Sequence, residues 1–199
     1  MPYTLLSLGD SYTIGEGVLL PATYPYQTVQ MLRRLGHSLA APEIIARTGW
    51  TTDELADAIA GTRLLPAYDF VSLLIGVNNQ YRGRSCEEYG LQFGALLDQA
   101  IGFAGGRFHG VFVLSIPDWG VSPFAADRDR IVIARQIDEF NAVARRLCEQ
   151  RQVTFIDITP HSRGGDQTFT ADGLHPSEEQ YRFWAGQLAE KISRQLLRQ

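Results

Sequence analysis

The chain has 199 residues, 45% hydrophobic and 20% charged, with a formal net charge of −4. At about 150 residues per domain the expectation is a single domain over 1–199, large enough to bury a core without disulfide or metal staples. The acidic balance supplies no general basic field for nucleic acid or anionic membrane, and 19 glycines with 9 prolines are too few for a collagenous or low-complexity chain.

Met1 leads straight into an apolar run, Tyr3–Leu8, with no basic stretch before it. This predicts a first strand and no signal peptide, hence a cytoplasmic location unless a leader has been removed. Further strand-length runs follow at Glu43–Ala46, Phe70–Ile75, Gly110–Ser115 and Val153–Ile156, and none approaches the length of a membrane span. The capping-box pattern Thr51-Thr52-Asp53-Glu54 predicts a helix after the second run, and Ser177-Glu178-Glu179-Gln180 predicts one at the end of the chain. Between them Tyr89, Phe93, Leu96, Leu97, Ala100 and Ile101 mark one helical face, and Ile133, Ile137, Phe140, Ala144 and Leu147 another. Cys86 and Cys148 both fall in helical segments and are expected to be two reduced structural thiols, neither a disulfide framework nor a metal ligand set. Continuously apolar strands alternating with helices imply a parallel sheet covered on both faces. The predicted fold is α/β: a three-layer α/β/α sandwich on a five-stranded parallel sheet of flavodoxin-like topology.

In such folds ligands gather beyond the carboxyl ends of the strands. The segments that follow the five runs are Gly9-Asp10-Ser11, Arg47-Thr48-Gly49-Trp50, Gly76-Val77-Asn78-Asn79, Ile116-Pro117-Asp118-Trp119, and the longer connection from Asp157 to His175. Of four histidines, His37 and His109 belong to the opposite edge, which leaves His161 and His175. His175 is the better base, because in Asp172-Gly173-Leu174-His175 a carboxylate three positions upstream can fold back to the ring and stabilise an imidazolium. Asp118 and Asp157 stand on the same edge and remain alternatives as its partner. Ser11, at a glycine-containing turn where a short helix starts with Asp10 near its N-cap, is the candidate nucleophile. Gly49 lets backbone approach a ligand closely, and Asn78 offers a side-chain N–H; both suit an oxyanion hole completed by the Ser11 amide.

Gly-Asp-Ser after the first strand, glycine after the second, Gly-x-Asn after the third and Asp-x-x-His before the last helix form an ordered set from Gly9 to His175. The set resembles the SGNH or GDSL hydrolase family, named for its Ser, Gly, Asn and His. The resemblance implies Ser11 as nucleophile, His175 as base, Asp172 as its orienter, and an oxyanion hole from Ser11, Gly49 and Asn78. It implies acyl transfer to water through a serine ester, without metal or organic cofactor. Two positions depart from the family pattern: Tyr12 stands where the name has leucine, and Asn79 where aspartate is usual. Tyr12, Trp50, Asn79, Tyr81 and Trp119 are the expected substrate contacts, with Phe124 a further aromatic on that edge, and the Arg82/Arg84 pair is expected to be solvated. The implied partner is a small-molecule ester, short-chain esters first, with lipase, thioesterase, lysophospholipase and carbohydrate acetylesterase chemistries left open. The alternative is a non-catalytic flavodoxin-like module that holds a phosphate or flavin near Ser11 and Thr13; it leaves Asp172 and His175 without a role.

Overall fold

The computed structural model describes residues 1–164 and 168–197; residues 165–167, inside the long connection before His175, lie outside them. Five parallel strands pair in the order β2-β1-β3-β4-β5: β1 Leu5–Gly9, β2 Glu43–Ala46, β3 Phe70–Leu74, β4 Val111–Leu114 and β5 Thr154–Ile156. Every residue of β1, β3 and β4 is buried, as the unbroken apolar runs require of central strands covered on both faces. The polar residues among them meet: Ser7 and Ser72 are in register, and the Ser72 hydroxyl donates to Ser7 Oγ at 2.9 Å. A buried hydroxyl pair costs little once each partner satisfies the other.

Helices cover both faces. α2 (Tyr24–Arg34) packs against α8 (Glu178–Leu196) on one side, while α3 (Thr52–Ala60), α5 (Cys86–Phe103) and α6 (Arg130–Gln150) form a contacting layer on the other. Three short helices sit at the strand ends: α1 (Ser11–Ile14), α4 (Val77–Tyr81) and α7 (Thr159–Ser162). Both capping-box patterns mark true helix starts, but only the first closes as a box. Glu54 accepts from the Thr51 amide at 2.9 Å. Gln180 instead donates to the Thr168 carbonyl at 2.6 Å, tying the last helix to the segment that carries His175. Cys86 and Cys148 are free thiols, and among the described residues no helix is long and apolar enough to cross a membrane.

The strand order reverses direction between β1 and β3, the topological switch point of a doubly wound sheet. α1 and α4 follow those two strands directly. These two short helices therefore stand at the crevice where such folds hold ligands.

Candidate active site

Asp10 caps α1, its Oδ1 accepting from the Tyr12 amide at 3.0 Å, which sets Ser11 at the first helical position. Asp10 is wholly buried; burial pushes its carboxyl up to about 7, although the Tyr12 amide works to lower it. The Ser11 amide and the Gly49 amide make no hydrogen bond to any other described residue. Gly49 lies in the turn Arg47–Trp50, closed by the Trp50 amide on the Arg47 carbonyl at 3.2 Å, and adopts φ 85°, a conformation that favours glycine.

On α4, Asn78 donates through Nδ2 to the Trp50 carbonyl at 3.0 Å. One Nδ2 hydrogen is thereby engaged, and an amide nitrogen carries two.

The segment 168–177 is folded back on itself: the Thr170 amide donates to the His175 carbonyl at 2.8 Å and the Ser177 amide to Thr168 at 3.0 Å. Within it Asp172 Oδ1 accepts from the Leu174 amide, the His175 amide and the Thr170 hydroxyl, while Oδ2 meets His175 Nδ1 at 2.6 Å. Gly173, at φ 69°, lets the chain make this tight return. Partial burial works to raise the Asp172 carboxyl, but the bonds from the His175 ring, the two amides and Thr170 outweigh it and hold the group well below the usual carboxylate range. An ionised Asp172 makes Nδ1 the protonated nitrogen of a neutral His175, so Nε2 keeps its lone pair.

Ser11, Gly49, Asn78 and His175 line one cavity of about 190 Å³. Tyr12, Thr48, Val77, Tyr81, Trp119, Phe124 and Leu174 complete its wall. No lysine or arginine is among these residues. Ser11 and His175 share the cavity without a hydrogen bond between them.

Several sequence expectations are relocated. Asn79 lies outside the cavity wall: it is fully buried, its Oδ1 accepting from the Thr52 amide at 3.1 Å and its Nδ2 donating to Thr52 Oγ1 at 2.7 Å. A neutral amide suits that place because it donates and accepts at once. Trp50 contributes its carbonyl to Asn78 and its ring to the core, and is not part of the cavity wall. Asp118 is paired with Arg163 at 2.8 Å, and Asp157 with Arg145, so neither reaches His175. His161 stacks on Phe183 of α8, with ring centroids 3.6 Å apart. Arg84 pairs with Asp53 and Glu88, and Arg82 with Glu54. Thr48, Val77 and Leu174 were not singled out from sequence; each occupies an unassigned position beside a motif residue, and that adjacency was the available signal.

The sequence matches the GDSL-like Lipase/Acylhydrolase family over residues 7–183. No curated protein matches it. Among solved structures, a lipase/acylhydrolase from Enterococcus faecalis superposes with a TM-score of 0.75 at 20% identity, covering 97% of this chain and 96% of that one. The psychrotrophic esterase EstA from Pseudoalteromonas sp. gives 0.71 at 14% identity, covering 97% and 98%. An acetylxylan esterase from Geobacillus stearothermophilus gives 0.70 at 18% identity, covering 96% and 94%. At these identities the likeness to solved structures is one of fold.

Proposed function

Since the chain belongs to the GDSL-like lipase/acylhydrolase family and is a carboxylic ester hydrolase, we propose that Ser11, His175 and Asp172 form its catalytic triad and that the Ser11 amide, the Gly49 amide and Asn78 Nδ2 form its oxyanion hole. The observation that carries this reading is the 2.6 Å contact of Asp172 with His175 Nδ1, in a histidine that shares its cavity with Ser11. Ser11 Oγ attacks the ester carbonyl carbon and passes its proton to His175 Nε2, and the carbonyl π pair moves onto oxygen. The ionised Asp172 fixes the ring tautomer and stabilises the imidazolium without taking the proton. Collapse of the tetrahedral adduct breaks the bond to the alcohol, which leaves with the proton from Nε2. Water then repeats the sequence on the acyl-serine, releasing the acid and restoring Ser11.

The three N–H groups serve the oxyanion, a charge that exists only in and around the transition state. A cavity of about 190 Å³ with a largely aromatic and aliphatic wall suits a short acyl chain, since pockets for drug-sized ligands start near 300 Å³. The test is a series of p-nitrophenyl esters of increasing acyl length, run on the wild type and on Ser11→Ala. The expected result is highest kcat/KM at the two- to four-carbon chains and a loss of at least about 10³ in kcat for Ser11→Ala, with folding retained. An active Ser11→Ala enzyme removes the triad; a maximum at long chains removes the short-acyl assignment.

A further inference from the structure

Arg82 follows α4 as its C-cap residue, its amide closing on the Asn78 carbonyl at 3.0 Å. From there the guanidinium crosses to the turn after β2. It donates to the Gly49 carbonyl at 2.6 Å and to the two Glu54 carboxylate oxygens at 3.3 and 3.2 Å. Asn78 grips the Trp50 carbonyl and Asn79 grips the Thr52 amide and hydroxyl, so α4 and its cap hold this turn at Gly49, Trp50 and Thr52 together.

We propose that Arg82 is a positioning residue for the oxyanion hole: by anchoring the Gly49 carbonyl it fixes the glycine whose amide must stay in register with Asn78 Nδ2. The proposal rests on the assignment of Gly49 and Asn78 as oxyanion donors. Little packs on the Cβ side of Gly49. A Cβ placed there would meet no heavy atom within 4 Å except Arg82 Nη2 at 3.7 Å. Glycine has the widest φ/ψ range of any residue, and the turn bond from the Trp50 amide to the Arg47 carbonyl restrains Gly49 without anchoring its own carbonyl. Anchoring its carbonyl restrains ψ directly and adds to the turn bond in holding the adjoining amide. Donors lower a barrier only when they are already aimed, so a loosened amide loses much of its effect. Arg82 is not part of the cavity wall. Its pair with Glu54 is exposed, with side chains 43% and 40% accessible, the kind of ion pair that adds little stability. A planar fork that reaches a carbonyl and a carboxylate at once is a guanidinium property, only partly replaced by an ammonium.

The experiment compares Arg82→Ala and Arg82→Lys with the wild type and Ser11→Ala, measuring kcat, KM and Tm on one short-chain ester. Loosening a donor costs less than deleting it, so Arg82→Ala should lower kcat about 10-fold with KM unchanged within about twofold. Its Tm should stay within about 2 °C of the wild type, as for the loss of an exposed pair. Arg82→Lys should recover kcat to within about threefold of the wild type. Wild-type kcat in Arg82→Ala beside an inactive Ser11→Ala overturns the positioning role and leaves the triad standing. A rise in KM alone would make Arg82 a substrate contact, and a Tm loss beyond about 5 °C that Arg82→Lys does not repair would make it structural; either overturns the proposal. An active Ser11→Ala removes the underlying assignment and the proposal with it.

Discussion

Asp172 accepts from the His175 ring, two backbone amides and the Thr170 hydroxyl, and the pH behaviour of the site follows from that count. Its carboxyl titrates well below the ordinary aspartate value of about 3.9. A depressed folded-state pKa contributes stability that is present above the unfolded value and is lost as pH falls through the folded one. Asp172 therefore stays ionised across the whole range in which an ester hydrolase is assayed. The acid limb of log kcat/KM should fall with unit slope down to about pH 4, one proton belonging to the base alone. A slope of two between about pH 5 and pH 3 would mean that Asp172 titrates in its ordinary range and that the observed bonds do not hold it. The same residue shows how far local spacing reaches. Asp-x-x-His already placed a carboxylate within range of the ring; the Thr170 hydroxyl, which shares Oδ1, joins it through the fold of 168–177 and was not foreseen.

At the scale of the element, α4 explains why adjacent asparagines have opposite fates. Successive residues on a helix are turned by about 100°, so Val77, Asn78 and Tyr81 share the cavity face while Asn79 points inward to Thr52. The motif named both residues, but only the packing of α4 against the turn after β2 decided which one meets the cavity. α8 acts from behind the site. Trp184 is wholly buried and meets Tyr12 edge-on at 5.9 Å, and Tyr12 in turn meets His175 at 6.0 Å. Trp184→Ala should cost about 3–5 kcal/mol, the range for deleting a large buried aromatic. Thermal or urea unfolding would measure it, and a loss under about 1 kcal/mol would show that α8 is not a principal support of the core.

For the molecule as a whole, the buried Asp10 links stability to pH. Burial raises its carboxyl to about 7 in the folded state, against about 3.9 in an unfolded chain. Between those values the folded protein holds a proton that the unfolded chain has released, so this group makes stability fall as pH rises from about 4 to about 7, with no further change above. Asn keeps the cap to the Tyr12 amide without the charge. The unfolding free energy of Asp10→Asn relative to the wild type should therefore rise across that window and then level off. A difference that is flat from pH 4 to pH 8 would show that Asp10 is solvated or paired in the folded state.

Strand number, the three-layer class and the edge of the sheet at which the motif residues gather were legible in the residue pattern. Strand-length apolar runs and period-3.6 apolar spacing report which elements exist, and a parallel sheet sends every strand's carboxyl end to one side. The D-x-x-H contact was legible for the same reason, being local. What the linear order does not contain is rotation and distance between elements. It could not turn Asn79 away from the cavity that Asn78 lines, send Gln180 to Thr168 instead of its own helix start, or occupy Asp118 and Asp157 with Arg163 and Arg145. Nor could it set the exposed Arg82 on the Gly49 carbonyl. Those outcomes depend on which faces of separate helices meet, and long-range packing, not local spacing, determines that.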